Sequence, residues 1–163
     1  MLPEIRKILY CTDLSESAGN AFRYALGVSK ASGAKIHLLH VVGELTGEAR
    51  IALELYLEDA GGPNVKKVHE NRVQQARAEL MRRIEAFGSE FDGPDGKLAD
   101  RIAEVEVVRG RAAETILKKA ADSGCDLIVM GTHEKGAVRA LLGSVARTVI
   151  GSSEIPVLVV PLP

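Results

Sequence analysis

Three places in the sequence hold residues suited to a charged ligand, and glycine marks two of them. Residues 126–160, DLIVMGTHEKGAVRALLGSVARTVIGSSEIPVLVV, run from an apolar stretch ending at Gly131, through a polar loop, to Gly143-Ser144 at the start of a segment with helical period, and then to a second apolar stretch. A strand that feeds a glycine-containing loop and then a helix start presents free backbone N–H groups and the positive end of the helix dipole, a combination suited to phosphate. Glycine at the ends of elements is equally ordinary turn chemistry. The third place is Asp13, which follows the first apolar run. A carboxylate there can accept hydrogen bonds from ribose hydroxyls, or it can cap the helix that follows; the sequence leaves both roles open.

Other chemistry is scarcer. His133 has the character of a general base, a metal ligand or a phosphate contact, but the four histidines (His37, His40, His69, His133) show no ligand spacing on one helix face, which argues against a metal site. His37 and His40 fall in one strand and, three residues apart, point to opposite faces. The sequence contains no Gly-x-x-x-x-Gly-Lys-Ser/Thr loop, no Gly-x-Ser-x-Gly elbow and no Gly-x-Gly-x-x-Gly after the first strand. These absences argue against Walker-type ATPases, serine hydrolases and typical Rossmann dehydrogenases.

The elements that must position these residues can be read from periodicity. Residues 5–11 (IRKILYC) form a buried first strand, closed by Thr12-Asp13. From Ser15, the stripe Ala18, Ala21-Phe22, Ala25-Leu26 and Ser29 predicts a helix capped by Ser15 and ended by Gly33. Residues 35–42 (KIHLLHVV) read as a strand with both faces covered. Residues 43–64 read as an insertion holding a short helix at 48–58, and residues 65–87 as a long amphipathic helix. Residues 88–100 read as an exposed, turn-rich loop. Residues 102–109 alternate as an edge strand does, and a further helix runs from Ala113 to Ala121 before Gly124. Strict alternation of strand and helix forces parallel pairing with right-handed crossovers, giving an open α/β sheet covered on both faces, whose ligands sit beyond the strand C-termini.

With 163 residues, 46% of them hydrophobic, residues 1–163 have the size of one domain. The net charge of -1 supplies no footprint for nucleic acid or for an anionic membrane surface. Cys11 and Cys125 are too few for a disulfide framework, and the N-terminus MLPEIRKILYC lacks the features of a signal peptide. A cytoplasmic location is expected.

Taken together, Lys7–Asp13 (KILYCTD), Leu39–Val42 (LHVV), Cys125–His133 (CDLIVMGTH), Leu142–Val145 (LGSV) and Pro156–Val160 (PVLVV) resemble the universal stress protein family, and the match runs through nearly the whole chain. The resemblance implies an open five-stranded parallel sheet of strand order 3-2-1-4-5 with helices on both faces, a Rossmann-like architecture akin to the adenine nucleotide alpha hydrolases. It also implies a homodimer joined through the last strand, Val157–Val160. Many members bind ATP. Carried over by position, Cys11, Thr12 and Asp13 lie at the nucleotide, with Asp13 on the ribose and Val41 backbone groups on adenine. Met130, Gly131 and His133 line the pocket, and Gly143, Ser144 and Val145 present N–H groups and a hydroxyl to the phosphates, with Mg²⁺ as a companion ion. The sequence departs from the family's Gly-x2-Gly-x9-Gly-Ser/Thr pattern in two ways: Glu134 occupies the second glycine position, and the span from Gly131 to Gly143 is one residue shorter. A carboxylate at roughly 4 Å from a phosphate opposes binding by about 4 kcal/mol at an effective dielectric near 20. Gly136, Lys135 and Arg139 are the residues able to compensate. The resemblance therefore leaves two outcomes, a nucleotide-binding regulatory switch and a nucleotide-free protein-binding dimer. No residue is an evident nucleophile or base, so any enzymatic activity is at most slow ATP hydrolysis, with His133 the side chain to test.

Overall fold

A computed structural model describes residues 1–45, 47–132 and 142–161. The chain alternates as expected: β1 (Lys7–Thr12), α1 (Ala18–Ser32), β2 (Lys35–Gly43), α2 (Glu48–Asp59), α3 (Val65–Phe91), a 3₁₀ turn (Leu98–Asp100), β3 (Ile102–Gly110), α4 (Ala112–Asp122), β4 (Leu127–Gly131), α5 (Ser144–Ser152) and β5 (Val157–Val160). All five strands are parallel in the order β3-β2-β1-β4-β5. The chain builds outward from β1 to β3, then returns to the other side of β1 for β4 and β5. The order therefore reverses between β1 and β4, where Cys11 is level with Met130, and that is where open α/β sheets leave a crevice.

Because strand side chains alternate, each strand feeds two cores. On one face Ile8, Tyr10, Ile36, Leu38, Leu127 and Val129 pack with Phe22, Ala25 and Leu26 of α1 and Leu80 of α3. On the other, Leu9, Cys11, Leu39, Ile128 and Met130 pack with Ile116 and Ala120 of α4 and Ala146 and Val149 of α5. Burial on both sides is why β1, β2 and β4 read as continuous apolar runs. β3 lies at an edge, and none of its residues is fully buried, although its burial does not alternate along the strand. Gly33 closes α1 at φ 79, the left-handed conformation that ends helices at glycine.

Two local expectations are revised. α1 starts at Ala18 after Ser17 and has no side-chain cap; the Ser15 hydroxyl is instead engaged with Asp13 Oδ1 at 2.6 Å and with Ser17 Oγ at 3.0 Å. The stretch 88–100 is not an exposed loop throughout. α3 continues through Phe91, whose ring stacks on Phe87 at 6.0 Å with Arg23 lying over both rings. Beyond it Asp92 Oδ1 accepts the Leu98 amide at 2.7 Å, and Leu98 is buried. Hidden aromatic packing, invisible to a turn-residue count, orders this segment.

Candidate functional site

At the C-terminal edge of the sheet a cavity of about 630 Å³ opens over the switch point, within the size range of small-molecule and cofactor sites. Its floor is the ends of three adjacent strands. β1 contributes Cys11 and Thr12, followed by Asp13; β2 contributes Leu39, His40 and Val41; β4 contributes Met130 and Gly131. One wall is the start of α5, with Gly143, Ser144 and Val145, and another is α4, with Ala112 and Ile116. The structure thus brings together Cys11, Thr12, Asp13, Val41, Met130, Gly131, Gly143, Ser144 and Val145. His133, Glu134, Lys135, Gly136 and Arg139 lie outside the described residues.

The α5 end is suited to an anion by what it lacks. Gly143 occupies the N-cap position and offers no side-chain acceptor, and Arg147 N to Gly143 O, 3.0 Å, is the first bond of the helical ladder. The amides of Ser144, Val145 and Ala146 therefore stand at the helix N-terminus with the positive end of its dipole. Gly131 supplies room: its φ is not positive, and a Cβ added there would meet Ala21 Cβ and Val160 O at 3.9 Å, ordinary contacts. The protein's own packing thus does not demand glycine at 131, which lies at the cavity floor.

Asp13 is not the cap of α1. Its Oδ1 accepts the Ser15 amide at 2.9 Å and the Ser15 hydroxyl at 2.6 Å, closing a tight turn ahead of Ser17, the N-cap residue of α1. Of the two roles open in the sequence, capping is removed. Cys11 is buried against Met130's strand, and burial pushes its thiol, like that of Cys125, above the ordinary range, so neither is poised as a nucleophile. His37 and His40 diverge: His37 Nδ1 meets Glu104 Oε2 at 3.1 Å, while His40 Nδ1 lies 2.8 Å from the Thr12 carbonyl.

The sequence reading did not single out Ala112, Ile116 or Ser17 as cavity residues. The signal for Ile116 was present in the amphipathic stripe of α4, but its upper end reads as core until the strand order is known. His40, one of the two strand histidines, lines the cavity.

The model of the universal stress protein family matches residues 4–161. The chain is 35% identical over 157 residues to universal stress protein MJ0577 of Methanocaldococcus jannaschii, covering 95% of this chain and 94% of that one. It is 29% identical over 145 residues to universal stress protein G of Escherichia coli O157:H7, covering 89% of each. Among solved structures, that of MJ0577 superposes with a TM-score of 0.66 at 28% identity, over 97% of this chain and 96% of that one. A universal stress protein solved in complex with cAMP shares the fold, with a TM-score of 0.54 at 18% identity, 98% of each chain being covered. By sequence over almost its full length and by strand order, this chain belongs to the universal stress protein family.

Proposed function

We propose that this chain is a dimeric cytoplasmic stress-response protein whose crevice binds ATP or a related adenine nucleotide as a regulatory switch. The observation that carries the reading is convergence: residues from β1, β2, β4 and the start of α5, far apart in sequence, line one cavity whose parts match the parts of a nucleotide. The uncapped α5 amides and the Ser144 hydroxyl suit the phosphates. The Asp13 carboxylate suits ribose hydroxyls, and Val41 backbone groups with the apolar side chain of Ile116 suit adenine. Mg²⁺ would be carried by the phosphates. A protein of this fold solved with cAMP lends support to an adenine nucleotide as the ligand class. Titration calorimetry with ATP and Mg²⁺ tests the reading; absence of heat at protein concentrations far above the micromolar range would remove the nucleotide.

The dimer rests on β5. It pairs with β4 alone among the described residues, and an apolar edge strand invites a partner strand.

A second reading, a nucleotide-free dimer that works through protein contacts, draws on two observations. Glu134 replaces a glycine of the family's nucleotide pattern, and α2 buries no residue while exposing Ile51, Leu55 and Tyr56. The 43–64 insertion would then be the contact surface. ATP affinity that appears only in Glu134→Gly would favour this reading over the first.

A further inference from the structure

The turn that carries Asp13 is held in a conformation it would not keep unaided, and the holding groups come from elsewhere in the fold. Leu14 sits at φ 60, in the left-handed region that a bulky non-glycine residue occupies only where its surroundings dictate it. Within the turn, Thr12 Oγ1 accepts the Leu14 amide at 3.1 Å and Asp13 Oδ1 accepts Ser15. Those bonds are local and do not orient the turn against the sheet. Two longer ones do. His40 Nδ1 lies 2.8 Å from the Thr12 carbonyl, which can only accept, so this nitrogen carries the proton. Arg83, in the middle of α3, donates from Nη1 to the Ser15 carbonyl at 2.6 Å, across 68 positions of sequence.

Arg83 is itself aimed. Glu79, one helical turn earlier, accepts Arg83 Nε at 2.7 Å and also takes Arg82 at 2.8 and 2.9 Å. The hydrogen bonds from Arg82 and then Arg83 hold the Glu79 carboxyl down to about 2, so it stays ionised at physiological pH. With Nε committed to Glu79, the fork of Arg83 presents Nη1 to the turn. Arg83 does not line the crevice, whereas Ser15 and Asp13 do.

We propose that Arg83, oriented by Glu79, is a positioning residue for the crevice: it clamps the Thr12–Ser17 turn so that Asp13 is already placed when a ribose arrives. The inference rests on the nucleotide reading above. Without the clamp only a fraction of molecules would hold the turn in the competent form, and the apparent dissociation constant would rise by the reciprocal of that fraction. The loss would fall on ligands whose ribose hydroxyls meet Asp13 and would spare ligands that lack them.

The test is calorimetric titration of the full chain with ATP and with 2′,3′-dideoxy-ATP, together with amide hydrogen exchange of residues 13–18 in the protein without nucleotide. Arg83→Met is expected to weaken ATP about tenfold, equivalent to about 1.4 kcal/mol, to leave dideoxy-ATP nearly unchanged, and to speed exchange in the turn. Arg83→Lys should restore most of both. Glu79→Gln, which keeps Arg83 in the fold and serves if Arg83→Met does not fold, should give a smaller loss in the same direction. If the wild type binds ATP and Arg83→Met or Glu79→Gln keeps both affinity and ribose preference, the proposal is overturned. If the wild type binds no nucleotide, the reading of the crevice fails separately; the exchange data then decide the clamp, and unchanged exchange in the variants refutes it.

Discussion

Replacing Ser144 by proline isolates the contribution of the α5 backbone to anion binding. Ser144 is the first residue of α5, where proline is favoured because its fixed φ suits the helix and its missing N–H serves no intrahelical bond. The residue before a proline must be extended, and Gly143 already is, at φ -57 and ψ 155. Ser144 is exposed, and the bond from Thr148 Oγ1 to the Ser144 carbonyl, 2.9 Å, survives the change. The fold should therefore be kept, with thermal stability equal to or slightly above wild type. Ser144→Pro loses both the hydroxyl and the N–H, whereas Ser144→Ala loses the hydroxyl alone, so the ratio between the two variants reports the N–H. A hydrogen bond to a charged group is worth about 1.5–3 kcal/mol, which predicts ATP binding roughly 10- to 150-fold weaker in Ser144→Pro than in Ser144→Ala. Adenosine, having no phosphate, should bind both variants alike. Calorimetric titration of the two variants with ATP and adenosine measures this. Equal ATP affinities in two well-folded variants would show that the α5 start does not hold the phosphates, and the assignment of Gly143, Ser144 and Val145 would fall with it.

Asp13→Asn keeps an acceptor for the Ser15 amide but loses the charge; it should weaken ATP by about tenfold and erase the preference for ATP over its 2′,3′-dideoxy form, read by the same titrations. Val159→Pro should convert a dimer to a monomer in light scattering: Thr132 N bonds the Val160 carbonyl on the β4 side, so the alternate residue Val159 turns its N–H to the free edge, where proline is tolerated. Leu98→Ala should cost about 2–5 kcal/mol in denaturant unfolding, because Leu98 is 3% exposed and packs in the α1–α3 core. His69 is buried, its Nδ1 without a hydrogen-bond partner among the described residues, and desolvation, followed by the charges of Arg109, Arg72 and Arg50 and opposed by Glu44, lowers its pKa from 6.5. The unfolded chain then binds more protons than the folded one below about pH 6.5, so stability should fall as pH drops through that region, and His69→Phe should flatten the dependence in chemical denaturation curves.

How far the fold could be read in advance depended on whether each signal was local. Leu9 and Cys11 face one core while Ile8 and Tyr10 face the other, so both cores demand apolar residues and β1 announces itself as an unbroken run. Gly33 needs its positive φ and marks the end of α1 for a reason contained in one residue. The end of α3 carried no such mark. Gly88 and Ser89 look like the start of a loop, yet Phe91 stacks on Phe87 and against Arg23 of another helix, and that tertiary contact prolongs the helix past residues of poor propensity. The site divides the same way. Gly131 and Gly143-Ser144 were visible as a pattern in one stretch, and Asp13 at the end of a strand, but whether Asp13 caps α1 was decided by where α1 starts. That start is governed by a turn whose geometry depends on Arg83, 68 positions from Ser15, and on His40 from a neighbouring strand. Each of these two side chains has a local explanation in the sequence, one as a surface arginine of an amphipathic helix and the other as a strand histidine. Their shared task of fixing the Asp13 turn arises only when β2 and α3 are brought to the same end of β1, and no motif of fixed spacing can encode it.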